Sequence, residues 1–214
     1  LEFAARAPSL LVCISGGASS LVCAPSEGVT LEMKQAVTRT LLSSGAPIGD
    51  INIVRKHLSR IKGGGLARAA GGAPVFTLVM SDVVKGELGD VGSGPTISDP
   101  STIAQAKKIV KKYAPEWSKL PFAKTGSVGN SVDAKLVGGP ENLADAMSSR
   151  LKQKGYKVTL RKPTQAPVAR VAKDLLAAAK ALAPGEAVVG VGEPSLKVPA
   201  NATAYFYAPR AGMR

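Results

Sequence analysis

Residues 9–20 read Ser-Leu-Leu-Val-Cys-Ile-Ser-Gly-Gly-Ala-Ser-Ser. The first six are an apolar run rich in β-formers, which predicts a buried parallel strand. The last six predict a glycine-rich turn leading into a helix. A strand feeding such a turn exposes backbone N–H groups to an anion, and the glycines let a phosphate approach the main chain. In open α/β sheets ligands bind at the carboxyl ends of the strands, where this turn falls. It is not a Walker A loop, because no Gly-Lys-Ser/Thr follows, and it is not GxGxxG. A tight strand–helix connection with no ligand is the plain alternative.

Working outward, Thr30 is placed to cap a helix running to about Ser44, with Glu32 in its first turn and Gly45 as its stop. Asp50 is expected to cap the next helix, in which Val54, Leu58 and Ile61 form a buried stripe before Gly63-Gly64-Gly65. Residues 75–80, VFTLVM, predict a second buried strand ending at Ser81-Asp82. After a Gly-rich loop, Ser101 is expected to cap a helix through Tyr113. The weakly patterned stretch 114–133 reads as a loop or linker. The alternation then resumes, with strands at 134–138, 156–160, 187–191 and 195–198. Helices are expected at 140–154 and 166–182, the latter with Val168, Val171, Leu175 and Leu182 on one face. This order predicts an α/β fold: a mostly parallel sheet flanked by helices, Rossmann-like and three-layered, with part of a second α/β region. The division expected is a core at 1–113, the linker at 114–133 and a further α/β segment at 134–214.

Composition narrows the function. Of 214 residues, 45% are hydrophobic, enough for a packed core. No apolar run approaches the roughly 18 residues that would span a bilayer, and no signal-peptide pattern opens the chain. A soluble, cytoplasmic protein without membrane or nucleic-acid partners is expected. The 28 basic against 15 acidic residues give a net charge of +13, but aromatics are only 4%, too few for base-stacking platforms. The two cysteines, Cys13 and Cys23, fit no metal-ligand spacing and are expected to be buried thiols. His57 is the single histidine, which excludes a two-His metal site; a catalytic role for it remains open beside a structural one.

Four further groups carry candidate chemistry. In Arg55-Lys56-His57-Leu58-Ser59-Arg60-Ile61-Lys62, helical spacing would align Arg55, Ser59 and Lys62 along one edge, either gripping an anion or forming a solvated basic face. Asp82, at a strand end near the turn, could hold Mg²⁺ or orient a hydroxyl, or simply cap a turn. Asp90 and the Ser93-Gly94-Pro95-Thr96 turn could complete a polar cleft. Gly190-Val191-Gly192-Glu193-Pro194 repeats the pattern of strand, glycine turn and carboxylate.

Taken in order, SGGASS, RKHLSRIKGGGLARAA, TLVMSDVVKGELGDVGSGPTISDP and GVGEP closely resemble the class II glycerate kinases, the glycerate 2-kinase or MOFRL-type family. Asn52, Val54, Arg55, Lys56, His57, Leu58, Ser59, Lys62, Gly63 and Gly64 fit the family's long motif without a gap. The resemblance is strong over residues 1–112 and looser over 134–198. It implies ATP- and Mg²⁺-dependent phosphorylation of D-glycerate to 2-phosphoglycerate. Arg55, Lys56 and Asp82 would be catalytic, with Asp82 as the metal or hydroxyl partner. Ser15, Gly16, Gly17, Ser19, Ser20, Ser59, Ser93, Gly94, Thr96 and Glu193 would contact substrate or phosphate. The Ser15–Ser20 turn would hold either ATP phosphates or the glycerate carboxylate. A homodimer is an open assembly.

The chain departs from the family at Ala18, Ser20, Gly138-Gly139-Pro140 and Val191. The family's upstream Gly-Lys segment and downstream Gly-Gly-Arg motif are also not seen, so a fragment is expected. Two rivals stand beside the kinase: a hydroxypyruvate reductase, for which no dinucleotide fingerprint is present, and a non-catalytic phosphate-binding fragment.

Overall fold

The computed structural model describes residues 1–82, 84, 86–129 and 131–196. Strand β1 (Leu10–Ser15) pairs in parallel with β2 (Val75–Met80), from Leu10 opposite Val75 to Ser15 opposite Met80. β2 pairs in parallel with β3 (Val132–Gly138), and the order is β1-β2-β3. A register shift at Val79/Met80 brings Gly138 opposite Met80. Strands β4 (Lys157–Leu160) and β5 (Glu186–Val189) form a second parallel pair. The fold is thus α/β, built from parallel sheets flanked by helices. The shared register puts Ser15-Gly16 and Ser81-Asp82 at the same carboxyl edge.

Parallel strands need crossovers, and these carry helices. Between β1 and β2 run α2 (Ala18–Leu21), α3 (Leu31–Ser43), α4 (Ile48–His57) and α5 (Gly65–Ala69), preceded in the chain by α1 (Glu2–Arg6). Helix α6 (Ile103–Tyr113) follows β2, and α7 (Pro140–Gln153) and α8 (Val168–Lys180) flank the second sheet. Thr30 caps α3 as its hydroxyl accepts from the Met33 amide, and Gly45 takes a left-handed turn just beyond. Val37, Leu41, Ile51, Val54, Leu58, Val110 and Leu120 form the helical core. Leu10, Val75 and Ala70, then Ile14, Val79 and Val91, seal one face of the first sheet.

Several local expectations fail for identifiable reasons. Helix α4 starts after Pro47, whose ring presets its own backbone dihedral for a helix entrance, so Asp50 lies in the first turn and does not cap. Thr102, not Ser101, caps α6 through a reciprocal bond with Gln105; Ser101 is engaged by Asp99 and His57. Helix α4 ends at His57, so Ser59 and Lys62 do not share a helical edge with Arg55. Cys13 and Cys23 are exposed: Cys13 because β1 alternates and is not buried on both faces, and Cys23 in the segment just after α2. Leu11 (69% exposed), Phe76 and Met80 lie on the open face among the described residues. The stripe expected on α8 is only partly covered, and none of its residues is buried. Residues beyond Ala114 do pack, with Leu120 in the helical core and Phe122 against it. Ser195 makes only an isolated bridge to Pro167; the rest of the strand expected at 195–198 lies partly outside the described residues.

Candidate active site

The turn after β1 is tighter than its sequence suggests. Gly17 takes φ 80°, a left-handed conformation that glycine adopts without penalty, and the helix it opens is a single turn of four residues. So short a helix has little dipole, and any pull on an anion must come from side chains. The hydroxyls expected to serve as donors are largely committed: Ser20 Oγ donates to Gly17 O at 2.8 Å, and Ser19 Oγ sits 2.9 Å from Ser93 Oγ.

Side chains from distant segments converge on Ser19. Arg55 Nη2 donates to Ser19 O at 2.9 Å. Lys62 Nζ donates to Ser19 O and Ser19 Oγ at 3.0 Å and to Gly92 O at 3.3 Å. Lys62 is 1% exposed, and its three protons all go to neutral oxygens. It reaches them because the chain turns sharply after α4. Ser59 Oγ accepts from the amides of Ile61 and Lys62 and donates to Ala24 O, which fixes that turn. Ser93, on the loop after β2, is buried with φ 61°, an uncommon conformation for a residue with a Cβ.

A third cation arrives from α3. Lys34 lies at i−3 and i−7 from Val37 and Leu41, on the buried face of its helix. It is 5% exposed, and its Nζ has no hydrogen-bond partner among the described residues. Lys34, Arg55 and Lys62 line one recess of about 370 Å³ with Ser19, Ser20, Cys23, Leu31, Gln35, Thr38, Arg39 and Leu42. Burial, then the neighbouring Arg55 and Lys34 charges, pull the Lys62 pKa down from the usual 10.5 to about 8. Burial likewise lowers Lys34 and Arg55, with Cys23 opposing in both cases. Lys34 was not among the expected site residues. The signal available was a lysine at apolar spacing within a helix.

Asp82 lies on the other side of the turn. It is exposed, and its carboxylate sits against Gly16 so closely that a Cβ there would overlap it. Asp82 lines a cleft of about 500 Å³ with Gly138, Gly139, Asn142, Val191 and Gly192, so the carboxyl ends of β2 and β3 and the turn after β5 face one space. Glu193, next to Gly192, is exposed, and its amide donates to Thr164 O.

The remaining expected residues are placed elsewhere in the scaffold. Lys56 pairs with Asp99 at 3.3 Å, and Asp99 also accepts from Ser101 Oγ at 2.7 Å. Thr96 is buried and accepts from Thr77 at 2.9 Å. Gly94 accepts from the Gly64 amide and holds the loop against the Gly63-Gly64 turn. His57 is fully buried, with Nδ1 2.7 Å from Ala123 O and Nε2 3.2 Å from Ser101 Oγ. A carbonyl can only accept, so Nδ1 carries the proton, and the ring ties α4 to the segment after α6.

Residues 2–123 match the family described as "Domain of unknown function (DUF4147)". The chain is 41% identical over 149 residues to an Agrobacterium vitis protein provisionally named a hydroxypyruvate reductase, covering 65% of this chain and 34% of that one. It is also 41% identical over 152 residues to the D-glycerate 2-kinase of Thermotoga maritima, covering 69% of this chain and 36% of the kinase. The crystal structure of a glycerate kinase from Thermotoga maritima superposes with a TM-score of 0.73 at 33% identity, over 89% of this chain and 49% of that one. The chain thus spans about a third of these curated relatives and about half of the solved structure.

Proposed function

Because the chain belongs to the DUF4147 family, we propose that it carries part of the active site of an ATP-dependent kinase that converts D-glycerate to 2-phosphoglycerate. The likeness to a D-glycerate 2-kinase and to a glycerate kinase structure supports this reading. The observation that carries it is the assembly at the carboxyl edge of the first sheet. One glycine turn has cations on one side, half-buried Arg55 and buried Lys62, both bonded to Ser19, and a carboxylate, Asp82, on the other.

Phosphoryl transfer asks little covalent chemistry of a protein; positioning and charge neutralisation supply most of the rate. Arg55 is half-buried and keeps donors beyond those given to Ser19 O and Asn52 Oδ1, so it can bind an oxyanion in a fixed orientation. Lys62 adds positive potential without a direct contact, since its protons are taken. Lys56, committed to Asp99, would act by anchoring the end of α4. Mg²⁺ usually binds through one or two carboxylates plus the nucleotide's phosphates. Asp82 fits as one such ligand. Among the described residues no three His, Cys, Asp or Glu gather as a metal group, so the remaining oxygens would come from the nucleotide and water. When bound, the ion neutralises phosphate charge. Glu193 would support the same cleft from the turn after β5. Among the described residues no helix is long and apolar enough to cross a membrane; ATP as donor would place the reaction in the cytoplasm.

The test is ADP release with D-glycerate, ATP and Mg²⁺ on the full-length protein. Arg55→Ala should lower kcat/KM about 10²–10³-fold, the usual loss for one desolvated charge donor, with the fold retained. Nicotinamide oxidation with hydroxypyruvate and no ADP release would overturn the proposal in favour of the reductase named for the Agrobacterium relative.

A further inference from the structure

The two sides of the Ser15–Ser20 turn differ in charge. On the Asp82 side the cleft offers a carboxylate and glycine backbone. On the other side the recess is lined by Lys34, Arg39, Arg55 and Lys62, and among the described residues no Asp or Glu lies in its wall. Elsewhere nearby, buried positive charge is matched: Lys56 has Asp99 at 3.3 Å. Within the recess it is not. Arg55 donates to Asn52 Oδ1 and Ser19 O, Lys62 to Ser19 and Gly92, and Lys34 Nζ to no described group. A buried ammonium without a partner is costly unless something pairs with it. The recess supplies that need only if an anion enters it.

We propose that Lys34, Arg55 and Lys62 form the subsite that receives the carboxylate of a small hydroxy acid, while the nucleotide's phosphates lie on the Asp82 side of the turn. This rests on the kinase reading and assigns the ends of its two substrates. Three features favour a carboxylate. The recess, about 370 Å³ against about 500 Å³ for the Asp82 cleft, is partly apolar, with Leu31 and Leu42 in its wall beside Thr38, which suits the short carbon chain of a small acid. A nucleotide arriving with Mg²⁺ needs a carboxylate ligand, and that residue, Asp82, is across the turn. Lys34 is a point charge held on a rigid helix, able to fix one oxygen while Arg55 fixes the other. The low pKa of Lys62 agrees: burial lowers it first, and the neighbouring Arg55 and Lys34 charges lower it further, against a smaller opposing effect of Cys23.

Calorimetric titration of the full-length protein tests this. The probes are D-glycerate, L-lactate, glycerol, inorganic phosphate and Mg²⁺–ADP, each on wild type and Lys34→Met. Glycerate and lactate should bind and glycerol, which lacks a carboxylate, should not. Lys34→Met should weaken glycerate at least tenfold and change ADP affinity less than twofold. Its melting temperature should be unchanged or higher, because the substitution removes an unpaired charge and keeps the stem; a lysine that only held the fold would lower it. Cys23 gives a second readout, since it lines the recess and Cys13 does not. Glycerate should slow alkylation of Cys23 by neutral iodoacetamide in wild type, leave Cys13 untouched, and protect nothing in Lys34→Met.

Glycerate affinity that survives Lys34→Met overturns the subsite, as does a loss confined to ADP. Lys34-dependent binding of phosphate but not of carboxylates overturns the carboxylate assignment. A wild type that binds none of these anions overturns it as well. Lactate and glycerate that bind through Lys34 without any ADP release would leave the subsite standing and remove the kinase reading alone.

Discussion

Lys62 should make this protein more stable as the solution turns alkaline. Its ammonium is 1% exposed and faces only neutral oxygens, with Arg55 and Lys34 adding repulsion. Its pKa in the fold is about 8, against 10.5 for an ordinary lysine. Below pH 8 both folded and unfolded chains hold the proton, and the fold bears the full cost of the buried charge. Between pH 8 and 10.5 the folded chain has released it while the unfolded chain has not, so stability rises with pH; above 10.5 it levels off. At about 1.4 kcal/mol per pH unit, the gain across the window is roughly 3 kcal/mol. Urea unfolding at pH 7, 8, 9 and 10 measures it. Lys62→Met is the control, because general relief of repulsion in a chain of charge +13 persists in the variant while the Lys62 contribution disappears. A difference between wild type and variant that stays flat across this window, or falls, would refute the reasoning. An anion bound in the recess should reduce the slope, since it supplies the missing counter-charge.

Gly16→Ala would drive a methyl into the Asp82 carboxylate. Turnover should fall at least tenfold with only a small drop in melting temperature, and a crystal structure should show Asp82 displaced. Asp99→Asn should cost about 3 kcal/mol in urea unfolding, because it leaves Lys56 half-buried without its partner. Burial opposes the charge on Asp99, but hydrogen bonds from Ser101 and Thr125 and the Lys56 charge hold its pKa below the ordinary carboxylate value. Its stabilisation is therefore present above that ordinary value and is lost in wild type as the pH falls through the folded pKa; Asp99→Asn should lack that acid sensitivity.

What could be read from the sequence alone was what neighbours along the chain decide. Apolar runs of β-formers located β1 and β2, the Thr30 cap and Gly45 stop bracketed α3, and the alternation of elements implied parallel strands. Ser15-Gly16 and Ser81-Asp82 could be placed at one edge because parallel strands share their carboxyl ends. The charge pairing could not. Lys56 and Asp99 are 43 residues apart, and only packing made one an ion pair and left its neighbour Arg55 facing Ser19. Helical spacing suggested that Arg55, Ser59 and Lys62 act along one edge; the helix ends at His57, and Lys62 reaches Ser19 through a turn that Ser59 braces. The exposure of both cysteines depended on how much of each face another element covers, a long-range quantity. Lys34 shows the division most clearly: its spacing with Val37 and Leu41 put a charge on a buried face, but whether that charge met a carboxylate, water or an empty recess was decided by what the folded chain brought opposite it.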